Sequence, residues 1–120
     1  MIGLAFKVHN ALGAGFYEKI YENAMRIEIE RAGLLVEQQK PISVLYEGEV
    51  VGEFFADLFV GGCLMIELKA ARSLAEEHAI QLVNYLTATG YDSGLLINFG
   101  DRVEVKRKFR IYRKSESCSS

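Results

Sequence analysis

Two short apolar segments joined by a helical segment constrain the fold of this chain more than any other feature. Residues 64–70 and 94–99 are rich in Leu and Ile, which is typical of strands covered on both faces. Between them, Ser73 and Glu76 match a capping box, and apolar residues then recur at helical spacing until Gly90. A strand, a helix and a strand in this order predict a right-handed parallel crossover in one sheet.

The remaining segments extend this unit on both sides. Helical spacing of apolar residues predicts an N-terminal helical region over residues 2–32, interrupted at Gly13 and Gly15 and ended by Gly33. The predicted strands are 36–46 and 50–60, joined by a tight turn at Glu47-Gly48, then 64–70, 94–99 and 103–112. The order α-β-β-β-α-β-β predicts an α/β fold with a central mixed sheet flanked by helices. Residues 1–114 are expected to form one domain and residues 115–120 a disordered tail.

Length and composition are those of one ordinary globular domain. The chain has 120 residues, 50% hydrophobic and 25% charged, which suffices for one core. It lacks an apolar run of about 18 residues, so no membrane span is expected, and residues 1–8 do not resemble a signal peptide. The two cysteines, Cys63 and Cys118, have no zinc-ligand spacing and suggest no disulfide. We therefore expect a cytoplasmic protein.

The charge is distributed unevenly along the chain. Residues 101–120 hold seven basic and three acidic groups, a net charge of +4, whereas the preceding hundred residues carry −6. A basic C-terminal strip is suited to meet phosphates. A solvated edge strand that Lys and Arg keep soluble explains the same pattern.

Acidic residues and a lysine interrupt the apolar strands at one place. Asp57 lies in the run 55–60, and Glu67 and Lys69 lie two residues apart on the next strand, so their side chains share a face. Buried carboxylates need partners or a metal. Two carboxylates suit a hard cation such as Mg²⁺ or Mn²⁺, and the lysine is suited to position or deprotonate an attacking water, or to neutralise charge.

The turn at Gly61-Gly62 decides whether this cluster can form. With a two-residue loop, Asp57 faces Ile66 and points away from Glu67. With a three-residue loop or a bulge, Asp57 stands directly across from Glu67. We predict the second arrangement.

An acidic residue on one strand followed by Glu67-x-Lys69 on the next resembles the PD-(D/E)xK nuclease superfamily. Gln81 and Tyr85 form a Q-x-x-x-Y pair on one face of the following helix, which resembles the RecB-like branch of that superfamily. The resemblance implies a nuclease-like core in which this pair binds DNA or orients the lysine. An ordinary polar helix edge is the alternative for the pair.

A second motif, Gly15-x-x-Glu18-x-x-Tyr21, is similar to that of the GxxExxY family, and the similarity extends from Ile2 to about Arg110. Other segments that carry it are residues 8–13, 46–48, 52–53, 84–86 and 95–100. The resemblance implies that Glu18 is a helix-borne acid that completes the metal site. A favourable carboxylate at a helix start is the other explanation. The sequence departs from the family pattern in one respect, because we expect the N-terminal leader of the family to be missing.

The resemblance implies a magnesium-dependent nuclease that hydrolyses DNA phosphodiester bonds in repair or defence. The residues it assigns are catalytic Asp57, Glu67, Lys69 and Glu18, metal ligands Glu18, Asp57 and Glu67, and substrate-binding Gln81 and Tyr85. Nucleic acid is then the expected partner, with no membrane, and the apolar face of the N-terminal helix is a candidate homodimer interface. Two alternatives remain: a non-catalytic module that binds nucleic acid or a partner, and a structural homo-oligomer with a buried ion-pair cluster.

Overall fold

A five-stranded mixed sheet with helices on both faces forms the molecule, as the sequence predicts. The computed structural model describes residues 1–111, so the predicted disordered tail at 115–120 lies outside the described residues. The helices are α1 (Ile2–Leu12), α2 (Glu18–Arg31) and α3 (Glu76–Thr89), and the strands are β1 (Val36–Tyr46), β2 (Glu49–Val60), β3 (Leu64–Lys69), β4 (Ser93–Phe99) and β5 (Val103–Phe109). No helix among these residues is long and apolar enough to cross a membrane.

The strands lie in the sheet in their order along the chain, β1-β2-β3-β4-β5. β3 and β4, which are connected through α3, pair in parallel, as predicted for the crossover. The other neighbouring strands pair antiparallel. One core lies between the sheet and α1 with α2, around Tyr21, Met25, Ile66 and Ile97. The second core lies between the sheet and α3, around side chains such as Leu82.

The N-terminal helical region is two helices, so the element order is α-α-β-β-β-α-β-β. Gly13 ends α1 at φ 76° and Gly15 has φ 100°, a conformation that side chains other than glycine rarely adopt. Tyr21 fixes this connection, because its hydroxyl donates a hydrogen bond of 2.6 Å to the carbonyl oxygen of Gly13. Its ring is stacked on Phe99 with 4.6 Å between centroids.

The inward face of α2 differs in part from the one that the periodicity predicts. Helical spacing in residues 16–32 predicts that Ile20, Ala24, Ile27 and Met25 face inward. Met25 is fully buried, but Ile20 and Ile27 are exposed. Tyr21 and Ile29 are buried with Met25 instead, at a spacing of four residues. The ring of Tyr21 can be buried like an aliphatic side chain because its hydroxyl group donates a hydrogen bond to the backbone.

α3 begins later than its capping-box signal indicates. Its first residue is Glu76, preceded by Ala75 without a side-chain cap, so the predicted Ser73–Glu76 box does not form. The loop before it is held by the buried Asn98, whose side-chain amide bonds both the N–H and the carbonyl of Ala71 at 2.9 Å. These tertiary hydrogen bonds hold the loop, while the first turn of α3 has no side-chain cap.

The register of β2 and β3 follows the predicted arrangement. The loop between them holds three residues, 61–63, and Leu58 pairs with Ile66. Continuing this register by one residue places Asp57 across from Glu67, on one face of the sheet. The condition that the sequence sets for the acidic cluster is met.

The crossover leaves little space beside Gly94, which generates the first prediction. A Cβ on Gly94 would lie 2.9 Å from the backbone oxygen of Met65 and 3.1 Å from Cδ1 of Leu82. We expect Gly94→Ala to destabilise the fold by about 1–3 kcal/mol, because β4 must shift against β3 and α3. Urea unfolding measures this change.

Gly3→Ala is the matched control, because nothing lies within 4 Å of a Cβ at this helical position. It should stabilise the protein by about 0.5–1 kcal/mol through helix propensity. Equal stability of Gly94→Ala and wild type would contradict the close packing.

Candidate active site

The end of the β2–β3 ladder positions Asp57. Pairing with β3 covers residues 58–60 of β2 and stops, while β2 continues along β1 to Glu49. We call the place where β2 and β3 separate, at Asp57 and Glu67, the fork. Residues two apart on a regular strand share a face, but here Ala56 packs in the core under α3 and Leu58 in the core under α2. Asp57 lies between them, and its Oδ2 accepts a 2.8 Å hydrogen bond from the N–H of Leu68.

Glu67 faces Asp57 across the fork. Burial raises the pKa of Glu67 to about 8, and the negative charge of Asp57 and a hydrogen bond with it add to the shift. The ammonium of Lys69 acts in the opposite direction on this pKa. Oε1 of Glu67 is buried and has no hydrogen-bond partner among the described residues. An unsatisfied buried carboxylate oxygen is costly, so this one points to a missing partner.

Lys69 shares a cavity with Glu67 on the face that α3 covers. The cavity has a volume of about 180 Å³. It is lined by Phe54, Phe55, Glu67, Lys69, His78, Gln81, Leu82, Tyr85 and Leu96. No ion pair within 4.0 Å joins Lys69 to either acid in the described part of the chain. Its charge therefore acts on Glu67 without closing a salt bridge.

The Gln81–Tyr85 pair lies on the wall of the same cavity. Nε2 of Gln81 donates a 3.2 Å hydrogen bond to the hydroxyl of Tyr85, and the Tyr85 ring is stacked on Phe54 with 3.7 Å between centroids. His78, one turn before Gln81, is half-buried, and its Nδ1 has no partner within residues 1–111. Its position on the same helix face as Gln81 puts His78 at the border of the site, where a solvated side chain is the simplest expectation; in the structure it lines the cavity.

Glu18 is not among the residues that the structure brings together here. It is exposed at the first position of α2, and within residues 1–111 no three His, Cys, Asp or Glu side chains form a group that could hold a metal ion. The helix-borne acid linked to Asp57 is Glu22, one turn later, which is only 4% exposed. The role expected for Glu18 stays a prediction.

A hydrogen-bonded group connects Glu22 with Asp57 and was missed in the sequence. Nε2 of Gln39 donates to Oε1 of Glu22 at 2.7 Å and to Oδ1 of Asp57 at 3.2 Å. Gln38 also donates to Glu22. Two sequence features could have indicated it. Gln38 and Gln39 are consecutive amides inside a predicted strand, and Glu22 is an acid four residues after Glu18 on the same helix face.

The residues at the fork fit a divalent cation. Two carboxylates repel each other unless a proton or a cation lies between them, and one oxygen of Glu67 has no partner among the described residues. Mg²⁺ takes one or two carboxylates and keeps several waters, so Asp57 and Glu67 suffice as protein ligands. Lys69 and the Gln81–Tyr85 pair leave donors for an anionic ligand in the same cavity.

Comparisons with known proteins give the family of this chain and match its fold. A family model described as the PD-(D/E)XK nuclease superfamily matches residues 1–109. The crystal structure of SSO0001 superposes with a TM-score of 0.61 at 19% identity, over 81% of this chain and 52% of that chain. An alkaline exonuclease, LHK-Exo, from Laribacter hongkongensis superposes with a TM-score of 0.54 at 15% identity, over 78% of this chain and 56% of that one.

This chain thus spans little more than half the length of either protein, and at these identities the likeness concerns the fold alone. No curated protein matches the sequence.

The raised pKa of Glu67 generates the second prediction, for metal-free protein. Between about pH 4.5 and 8 the unfolded chain ionises this carboxyl while the folded protein keeps it protonated. Stability present below pH 4.5 should therefore be lost as the pH rises through 8, by on the order of a few kcal/mol. Urea unfolding in a chelator from pH 5 to 9 measures this loss.

The matched variant is Glu67→Gln, which has the same shape and no titration. Its stability should fall much less across this range and exceed that of wild type at pH 9. An identical pH profile for the two proteins would contradict the assignment to Glu67.

Proposed function

Because this chain belongs to the PD-(D/E)XK nuclease superfamily, we propose that it hydrolyses phosphodiester bonds in nucleic acid with a divalent cation held by Asp57 and Glu67. The observation that carries the proposal is the pair of facing carboxylates, of which Glu67 has a buried unsatisfied oxygen and shares one cavity with Lys69. Mg²⁺ is the proposed cation, with Mn²⁺ as its substitute in experiments.

Each group at the fork has a part in this chemistry. When bound, the cation supplies Lewis acidity towards a phosphoryl oxygen and lowers the pKa of water. Water attacks phosphorus, one P–O ester bond breaks, and the products are a phosphomonoester and a hydroxyl group. Lys69 positions the water and neutralises charge that develops on the phosphoryl oxygens. Gln81 and Tyr85 donate to the substrate from the wall of the cavity.

The basic edge strand supports a polyanionic substrate. Lys106 pairs with Leu96, which pairs with Glu67, so these three lie in one row on the α3 face of the sheet. Lys106 and Arg107 are exposed on β5. Of these two, Lys106 is on the face of the sheet that carries the cavity, and its exposed ammonium group suits a phosphate backbone.

The finer assignments rest on the residues that this chain shares with the related families. We propose DNA as the nucleic acid, with a role in repair or defence, and we propose that the chain belongs to the GxxExxY family and to the RecB-like branch of the superfamily. Glu18 is proposed to approach the cation site from α2 when substrate is bound. A cytoplasmic homodimer that uses the exposed Ile2 and Phe6 of α1 is the proposed assembly.

The alternative of a buried ion-pair cluster has less support. It requires Lys69 to pair with Asp57 or Glu67, and no such contact within 4.0 Å exists among the described residues. A carboxylate held protonated near neutral pH by burial is also a weak ion-pair partner.

Lys69→Ala tests the catalytic part of the proposal. We expect the rate of DNA cleavage with Mn²⁺ to fall by about 100- to 10,000-fold, because the water loses its positioning group. Urea unfolding should show an intact fold. Gel assays with single-stranded, double-stranded and branched DNA measure cleavage.

Two controls separate chemistry from metal binding and from charge. Lys7→Ala removes an ammonium on α1, across the sheet from the site, where it pairs with Glu28, and should cleave as wild type does. Asp57→Asn should lose Mn²⁺ binding in calorimetry, whereas Lys69→Ala should keep it. Wild-type protein that binds Mn²⁺ but cuts none of the three substrates would contradict the proposed activity.

Tyr85→Phe tests the substrate-binding part. The ring keeps its stacking on Phe54, so only the hydroxyl and its contact with Gln81 are lost. In a Lys69→Ala background, DNA affinity should fall by about five-fold, as expected for one lost hydrogen bond. Fluorescence anisotropy measures the affinity. Unchanged affinity would show that the hydroxyl does not meet the substrate.

A further inference from the structure

Gln39 is the one side chain whose amide contacts carboxylates on both α2 and β2 in the described part of the chain. Its Nε2 donates to Oε1 of Glu22 at 2.7 Å and to Oδ1 of Asp57 at 3.2 Å. An amide nitrogen has two donor hydrogens, so both are used. Because both neighbours are acceptors, the amide must turn its nitrogen, and not its oxygen, towards them.

The backbone of β1 adopts an unusual conformation to make this contact. Gln39 has φ 53°, in the left-handed region that residues other than glycine rarely adopt. Consecutive strand residues normally point to opposite faces, yet Gln38 and Gln39 both reach Glu22. The register with β2 is kept on either side, through Gln38↔Leu58 and Lys40↔Ala56. Strain confined to one residue is characteristic of functional sites.

Asp57 needs such a contact because the sheet does not hold it firmly. The ladder with β3 ends at Leu58, and among the described residues the backbone of β3 holds the Asp57 carboxylate through one hydrogen bond, from the N–H of Leu68 to Oδ2. Across the fork lies the carboxyl group of Glu67, which repels the Asp57 carboxylate whenever both are ionised. A donor on Oδ1 opposes that repulsion.

We propose that Gln39 is a positioning residue that holds the Asp57 carboxylate in its cation-binding orientation and anchors it to Glu22 on α2. Glu22 is a firm anchor, since it is only 4% exposed and Lys19 also binds its carboxylate. Outer contacts of this kind fix the orientation of metal-binding carboxylates. The part of the inference that concerns the cation rests on the proposed function.

Two variants remove the hydrogen bonds of this amide with Glu22 and Asp57 in different ways. Gln39→Met keeps the length of an unbranched side chain and loses both donors. Gln39→Asn keeps an amide but is one methylene shorter, and asparagine tolerates positive φ better than glutamine does. Gln39→Asn should therefore unfold at the same temperature as wild type or higher, which guards against loss of function through misfolding.

The first readout needs no cation. Hydrogen exchange of the Leu68 amide, followed by NMR in chelator, reports on its bond to Asp57. In both Gln39 variants this amide should exchange faster by about five-fold relative to other β3 amides, because a freed carboxylate holds it less well. The second readout is calorimetric affinity for Mn²⁺, which should fall by about 10- to 100-fold.

Gln38→Met is the matched control. Gln38 lies next to Gln39 and bonds Glu22 and Asn23, but it does not contact Asp57. Its loss should leave both the Leu68 exchange rate and the Mn²⁺ affinity unchanged. A Gln38 variant that reproduces both effects would overturn the proposal, because general packing against α2 would then explain them.

The remaining outcomes distinguish the positioning role of Gln39 from its link to the cation. Unchanged Leu68 exchange in both Gln39 variants overturns the positioning role, whatever happens to Mn²⁺ affinity. Faster exchange with unchanged affinity overturns its link to the cation. If wild type binds no Mn²⁺, the proposed function fails at this point, while the exchange rates still decide whether Gln39 holds Asp57.

Discussion

The close approach of two carboxylates at the β2–β3 fork is the constraint on which the rest of the site depends. Asp57 and Glu67 face each other, and burial with their mutual repulsion raises the pKa of Glu67 to about 8. Without a cation the fold must bear this cost, which a hydrophobic pair would avoid. A site that is unfavourable when empty gains most from a divalent cation, because binding relieves the repulsion.

The two cores hold this arrangement from opposite sides. The core under α1 and α2 fixes Leu58 and Ile66 immediately beyond the fork, and the core under α3 fixes Ala56 and Met65. Asp57 lies where β2 changes from one core to the other. Well-packed surroundings are what allow a strained residue such as Gln39 and an unsatisfied oxygen on Glu67 to persist.

Much of this could be predicted, because the relevant signals are local. The alternation of residues 36–60, the glycine-rich turn and the apolar 94–99 run fixed the strands and the parallel crossover. A three-residue loop or a bulge was predicted because either brings the acids together, and the pairing of Leu58 with Ile66 confirms the three-residue loop. Errors came where tertiary contacts outweighed local signals, as when Asn98 holds the loop in which Ser73 was expected to cap α3.

The sequence by itself determined the residue types of the site and their order on the strands, since spacing of two puts Glu67 and Lys69 on one face. Only the tertiary structure decided which acid of α2 is linked to Asp57. Glu18 and Glu22 lie one turn apart on the same helix face, so periodicity cannot distinguish them. The packing of Tyr21, Met25 and Ile29 sets how α2 lies on the sheet, and Gln39 joins the buried Glu22 to the fork while Glu18 stays exposed.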